Sequence, residues 1–172
     1  MPDTTDINIA NAPLIELVRN FCLTIEHGAE ADPDEFTAEM LDLLPRLYLG
    51  FSQLDPALIG AIGDEYLPNY LTEDYYDSIR RSLERLYGER DTYLETFEAD
   101  MKYSDTPIAA SISESLADIF QPLYDCVCAI RESEGMQTAT ALGICAENFQ
   151  GYWAQTLCNV LRPLNNIRYN PE

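Results

Sequence analysis

Acids and tyrosines are concentrated between residues 64 and 77, and no basic residue interrupts them. Carboxylates together with aromatic faces attract cations, and tyrosines anchor protein interfaces. The sequence therefore makes Asp74, Tyr75 and Asp77 candidates for a partner-binding surface. The alternative reading places Tyr75 and Tyr76 in the core and leaves the acids to stabilise the positive end of a helix dipole.

The residue types that most enzymes use for acid–base or metal chemistry are scarce. His27 is the one histidine, and we expect it to be a solvated or capping residue at the end of a helix. Cys126 and Cys128 lie on a predicted helix, where their side chains point about 200° apart and cannot reach one ion. The sequence predicts no metal site and no cofactor. Known catalytic and phosphate-loop motifs are also missing, which leaves the question of an enzyme open.

The charge balance limits the classes of partner. Thirty acids against ten bases give a formal charge of −20 and a pI near 4.1. A field of that sign repels phosphate backbones and anionic lipid, so we expect neither nucleic-acid nor membrane binding. It favours either plain solubility or a surface for a basic partner or a cation, including the case in which this protein itself mimics DNA.

The cysteine count, the N-terminal residues and the chain length indicate the cellular compartment and the number of domains. Five cysteines are an odd number, unlike the disulfide framework of a small secreted domain. Residues 1–11 are polar and acidic, unlike a signal peptide, and no stretch approaches the ~18 apolar residues of a membrane span. We therefore expect a cytoplasmic protein with reduced thiols. We also expect residues 1–172 to form a single domain, because that length lies within the usual range.

The clearest structural signal is an amphipathic helix over Ile112–Ile130. Its apolar residues fall within an arc of roughly 80° at 100° per residue. Its acids lie about 180° away, on a side that we expect to face solvent. These acids are Glu114, Asp118, Asp125 and Glu132.

Four further helices complete the predicted fold. Asn11, Asp32 and Thr72 are candidate N-caps, and Gly28 and Gly88 are candidate helix ends. The predicted helices are Ala12–His27, Pro33–Tyr48, Thr72–Gly88 and Thr138–Leu161, and Pro45 predicts a kink in the second near Leu41–Leu44. The weaker expectations are a connecting segment over Gly50–Leu71 with one short helix, a short helical stretch over Asp91–Phe97 and a polar tail over Pro163–Glu172. The pattern predicts an all-α fold, an antiparallel bundle of about five main helices with an irregular insert after the second.

Three blocks in the C-terminal half resemble an uncharacterised bacterial family that is known only as a domain of unknown function. They are Ser115–Gln121, Phe149–Gln155 and Leu161–Asn165. They are similar to a Leu-Ala-Asp-Ile-Tyr-like block, a His-Trp-Gly-like block and a Leu-His-like end. The resemblance covers about residues 107 to 165, and it implies an all-helical bacterial protein without implying a reaction.

The chain differs from that family at both histidine positions. Tyr152 stands where the second block begins with His, and Asn165 stands where the later His would be. A shared binding surface near Asp118, Trp153 and Gln155 does not depend on either histidine.

These observations favour a non-catalytic helical module that binds a protein partner through an acidic, tyrosine-bearing surface. The alternative is an enzyme or small-ligand binder with a pocket between the fourth and fifth helices. In that alternative Asp118 is the polar anchor, and Tyr152, Trp153 and Gln155 form the wall. A third reading is an acidic domain that binds a hard cation, which would need several oxygens at one point.

Overall fold

The structure is a computed structural model that describes residues 2–95, 102 and 106–171. The helices are α1 (Thr4–Glu26), α2 (Pro33–Ser52), α3 (Pro56–Gly60), α4 (Glu73–Tyr87), α5 (Ile112–Glu132), α6 (Thr138–Asn148) and α7 (Ala154–Tyr169). The strands are β1 (Thr92–Leu94) and β2 (Ala109–Ser111). Helices dominate, so the predicted all-α class is confirmed. Within the described residues, none of these helices combines the length and the apolar character that crossing a bilayer requires.

Helix α5 lies at the centre of the fold, where it packs against α1, α4, α6 and α7. The predicted apolar stripe is confirmed, since Leu116, Phe120 and Leu123 are fully buried. Burial extends beyond the stripe to Ser113 and Cys128, because neighbouring helices cover α5 from several directions. Only a narrow strip of α5 is left for polar side chains.

Local capping signals are confirmed at two helix starts and one helix end. Asp32 accepts hydrogen bonds from the backbone N–H groups of Asp34 and Glu35, and Thr72 accepts one from that of Tyr75. Gly88 ends α4 with a φ of +57°, which favours glycine.

The start of α1 differs from the prediction. The helix begins at Thr4 instead of Ala12. Asn11 is not its cap, because its side-chain amide donates to the carbonyl of Ile7 one turn earlier, inside the helix.

Residues 92–94 form a strand instead of the predicted short helix. Strand β1 pairs antiparallel with β2, with Thr92 opposite Ser111 and Leu94 opposite Ala109. Thr and Tyr suit extended backbone, and a paired strand satisfies their backbone groups. The final residues of the predicted stretch, 96–97, lie outside the described part of the chain.

The C-terminal region is more helical than the sequence predicts. A π-helical turn, Phe149–Trp153, divides the predicted fifth helix into α6 and α7. The predicted end of the fifth helix at Leu161 is wrong, because α7 continues to Tyr169 and buries Pro163 and Leu164. Those two side chains extend the apolar face of α7, which packs against α2.

Asp125 does not face solvent as predicted. It is half-buried, and its Oδ1 accepts the backbone N–H groups of Tyr70 at 3.0 Å and Leu71 at 2.9 Å. The chain between α3 and α4 crosses α5 at this point, and its N–H groups need acceptors there. Burial raises the pKa of the Asp125 carboxyl, although the two N–H groups act in the opposite direction.

The predicted connecting segment contains one short helix, α3, as expected, and α3 packs closely on α6. Gly143 of α6 makes that approach feasible. A Cβ at this position would lie 2.5 Å from the carbonyl oxygen of Leu58 and 3.1 Å from a side-chain carbon of Ile62.

We expect Gly143→Ala to lower the free energy of unfolding by about 1–3 kcal/mol, because backbone atoms of α3 must move to admit the methyl group. Urea denaturation measures the change. Gly151→Ala is the matched control, since no atom lies within 4 Å of the Cβ it would add. Equal effects of the two variants would contradict the close α3–α6 packing.

Candidate functional site

Asp118 lies where two neighbouring pockets meet. The first pocket, of about 380 Å³, is bounded by β2, α5 and the start of α7. The second, of about 510 Å³, lies between α4 and α5. Their acidic lining residues are Glu95, Glu114 and Asp118 in the first pocket and Glu73, Asp74, Asp77 and Asp118 in the second. Because Asp118 belongs to both, we call the two pockets together the acidic groove.

Two phenols hold the Asp118 carboxylate. The hydroxyl of Tyr76 donates to Oδ1 at 2.6 Å, and the hydroxyl of Tyr152 donates to Oδ2 at 3.0 Å. A carboxylate has about four lone-pair positions. Each oxygen of Asp118 therefore keeps capacity for another donor, while the two phenols fix its orientation.

Both phenols keep their protons at neutral pH. Burial, followed by the hydrogen bond and charge of Asp118, raises the pKa of Tyr76. Burial and the Asp118 charge raise the pKa of Tyr152 to about 12. The two tyrosines therefore act as hydrogen-bond donors and not as bases.

Different elements bring these side chains together. Asp118 comes from α5, Tyr76 from α4 and Tyr152 from the π-helical turn. Pro122 lacks the N–H group that would bond to the carbonyl of Asp118 in an unbroken α-helix. The site thus lies where the regular backbone hydrogen bonding of α5 and of the α6–α7 segment is interrupted. π-Helical turns are frequently found at functional sites.

Glu95 is a site residue that the sequence analysis missed. Its Oε1 accepts a hydrogen bond from the Tyr93 hydroxyl at 3.1 Å, and that hydroxyl also contacts the Ser115 hydroxyl at 3.0 Å. Its Oε2 is buried and has no hydrogen-bond partner among the described residues. Pairing of β1 with β2 places Glu95 beside α5, and no local sequence signal indicated that pairing.

The structure brings five of the seven predicted surface residues to the groove. Asp118, Tyr152 and Gln155 line the first pocket, and Asp74 and Asp77 line the second. The sequence suggested the residues around Asp118 and the residues around Asp74 as separate groups. In the structure, both groups belong to one continuous surface.

The other two predicted residues lie away from it. Trp153 is fully buried, packs on Phe51 and donates from Nε1 to the carbonyl of Cys145, so it supports the core instead of forming a pocket wall. Tyr75 turns towards α1, where its hydroxyl donates to Glu26 at 2.6 Å. The helical period gives Tyr75 and Tyr76 different directions, and Tyr76 is the one that faces Asp118.

The acids of the second pocket differ in their pairing. Asp77 contacts Arg80 and Arg81 at 3.7 and 3.5 Å, at the three- and four-residue spacings of helical ion pairs. Asp74 has no ion pair within the described part of the chain. A cationic group entering this pocket would therefore compete with two arginines at Asp77 but with none at Asp74.

The residues considered for metal or nucleophilic chemistry lie elsewhere. His27 is exposed at the end of α1, with its Nδ1 2.8 Å from the carbonyl oxygen of Leu23. Cys126 and Cys128 are buried free thiols. Across residues 2–95, 102 and 106–171, no group of three or more His, Cys, Asp or Glu is arranged to hold a metal ion.

Comparison with known proteins gives a family and a structural relative. A family model described as a domain of unknown function (DUF5063) matches residues 9–170. The crystal structure of protein BF1032 from Bacteroides fragilis is similar, with 30% sequence identity and a TM-score of 0.77. The match covers 92% of this chain and 91% of the relative. No match was found among curated proteins.

We expect the Tyr76–Asp118 pair to contribute more stability than the Tyr152–Asp118 pair. Tyr76 is half-buried and its bond is shorter, whereas Tyr152 is 54% exposed. Double-mutant cycles with Asp118→Ala, Tyr76→Phe and Tyr152→Phe, followed by urea denaturation, measure both coupling energies. The expected values are about 1–2 kcal/mol for Tyr76 and below about 1 kcal/mol for Tyr152. A larger coupling energy for Tyr152 than for Tyr76 would contradict the conclusion that Tyr76 is the stronger partner of the Asp118 carboxylate.

Proposed function

This chain belongs to the DUF5063 family, whose members are domains of unknown function, and from that premise we propose that it is a non-catalytic binding module for a protein partner. The partner would place a basic segment in the acidic groove. The observation that carries this proposal is the position of Asp118, oriented by two phenols at the junction of two acidic pockets.

The charge of the groove supports a cationic ligand. Six different acids line the two pockets, and no lysine, arginine or histidine lines either one within the described residues. The chain as a whole carries a formal charge of −20. Such a field accelerates the approach of a basic partner and discriminates against acidic ones.

The hydrogen-bonding pattern favours arginine over lysine in the partner. With one phenol on each oxygen, Asp118 keeps an acceptor position on both. A planar guanidinium presents two parallel N–H groups that match two carboxylate oxygens, whereas an ammonium acts as a point charge. The ring of Tyr152, which is 54% exposed, adds a face for a cation–π contact.

The titratable groups of the groove support binding without catalysis. They are carboxyls and tyrosines, and both phenols of the Asp118 arrangement have raised pKa values. A general base or nucleophile of matched pKa would be expected of a catalytic site.

A small cationic molecule is the second candidate ligand. The observation that favours it is Glu95, whose buried Oε2 has no partner among the described residues beside the first pocket. A volume of about 380 Å³ is within the range of small-molecule sites.

We expect the Glu73→Gln/Asp74→Asn variant to bind a fluorescein-labelled hexa-arginine peptide about three- to tenfold more weakly than the unmodified chain, because two exposed attractive charges are lost. Fluorescence anisotropy at low salt measures the change, and raising the salt to ~0.5 M should abolish binding of both proteins. A hexa-lysine peptide should bind more weakly than hexa-arginine.

The matched control is Asp34→Asn/Glu35→Gln. It removes the same two charges from the first turn of another helix, α2, outside the groove. Equal weakening by the two variants would mean that net charge alone attracts the peptide, and the proposed surface would be wrong. Binding of arginine amide without binding of the peptide would favour the small-molecule candidate.

A further inference from the structure

The chain between α3 and α4 crosses α5 and α6 as an irregular strap, residues 61–71. Ile62 and Leu71, near its two ends, are 8% and 6% exposed. Between them, the strap is mostly exposed, and Tyr66 is 83% exposed. The strap is therefore packed most closely at its ends. In its middle, Leu67 is partly buried against the core, and the Glu65 carboxylate accepts a hydrogen bond from the Thr140 hydroxyl of α6.

Backbone hydrogen bonding follows the same pattern. Near the first end, the N–H of Glu65 donates to the carbonyl of Ile62 at 3.1 Å. At the second end, the N–H groups of Tyr70 and Leu71 both donate to Asp125. Within the described residues, the N–H groups of 66, 67 and 69 donate to no protein acceptor. One carboxylate thus carries the polar attachment of the second end.

A cavity of about 300 Å³ lies beneath the middle of the strap. Leu67, Pro68 and Asn69 line it from the strap. The opposite side includes Pro122 and Asp125 of α5 and Cys145 of α6. Cys145 is a free cysteine with 1% exposure, so a labelling reagent can reach it only after something moves.

We propose that the strap is a hinged lid, fastened by Asp125, whose local opening exposes the cavity and Cys145 while the helical core stays folded. Cys22, Cys126 and Cys145 all belong to the core cluster, and Cys126 contacts Cys145, but of these three only Cys145 lines the cavity. Opening of the lid would leave Cys22, which lies on α1, protected. Local opening and global unfolding therefore predict different orders of thiol reactivity.

The experiment is thiol labelling with an excess of a maleimide under native conditions, followed by peptide mass spectrometry. The protein carries Cys158→Ser, which removes the exposed thiol. We expect Cys145 to be labelled faster than Cys22. Asp125→Ala should increase the Cys145 rate about tenfold relative to the Cys22 rate, because two N–H groups lose their acceptor. Asp125→Asn keeps an acceptor oxygen and should change this ratio little.

Glu132→Ala is the matched control, since it removes an exposed acid from the same helix without a contact to the strap. A selective rise at Cys145 in Asp125→Ala alone would support the lid. Equal labelling of Cys22 and Cys145, or an unchanged Cys145-to-Cys22 ratio in Asp125→Ala, would overturn it. The readout is the ratio of two labelling rates in the same molecule. It therefore still distinguishes local opening from global unfolding if Asp125→Ala lowers global stability.

Discussion

The burial of α5 on several sides is the constraint from which the rest of the structure follows. Four helices pack against it, and seven of its side chains have no exposed surface: Ile112, Leu116, Ala117, Ile119, Phe120, Leu123 and Ala129. Burying such apolar surface is the dominant favourable term in folding. Two carboxylates on the remaining strip, Asp118 and Asp125, are partly buried, and a partly buried carboxylate needs hydrogen-bond donors. Asp118 obtains them from two phenols, and Asp125 obtains them from the backbone of the strap.

The local part of this arrangement could be predicted from the sequence. Helix caps depend on residues three or four positions apart, so Asp32, Thr72 and Gly88 were identified from their neighbours alone. The apolar stripe of α5 was equally accessible, because its period is a property of one segment. The family resemblance of the C-terminal half was confirmed, and the family model extends it to residues 9–170.

The rest depends on contacts between residues far apart in the chain. Asp125 meets the strap across more than fifty residues, and Glu95 reaches the groove only because β1 pairs with β2. The hydrogen bond from Tyr152, in the π-helical turn, to Asp118 of α5 likewise joins two separate elements. A helical wheel gives the direction of a side chain but not what covers it, which is why Asp118 and Tyr152 were predicted for the site and Tyr76, the second phenol partner, was not.

The acidic groove offers a direct test by NMR. Amide shifts of the ¹⁵N-labelled protein would be recorded during titration with an arginine-rich peptide at low salt. The account predicts that the largest shifts fall on residues lining both pockets, including Asp74, Asp118 and Gln155, with small shifts at the acidic start of α2. Shifts of equal size at Asp34 and Glu35, or shifts spread over all acidic surfaces, would contradict a defined binding site around Asp118.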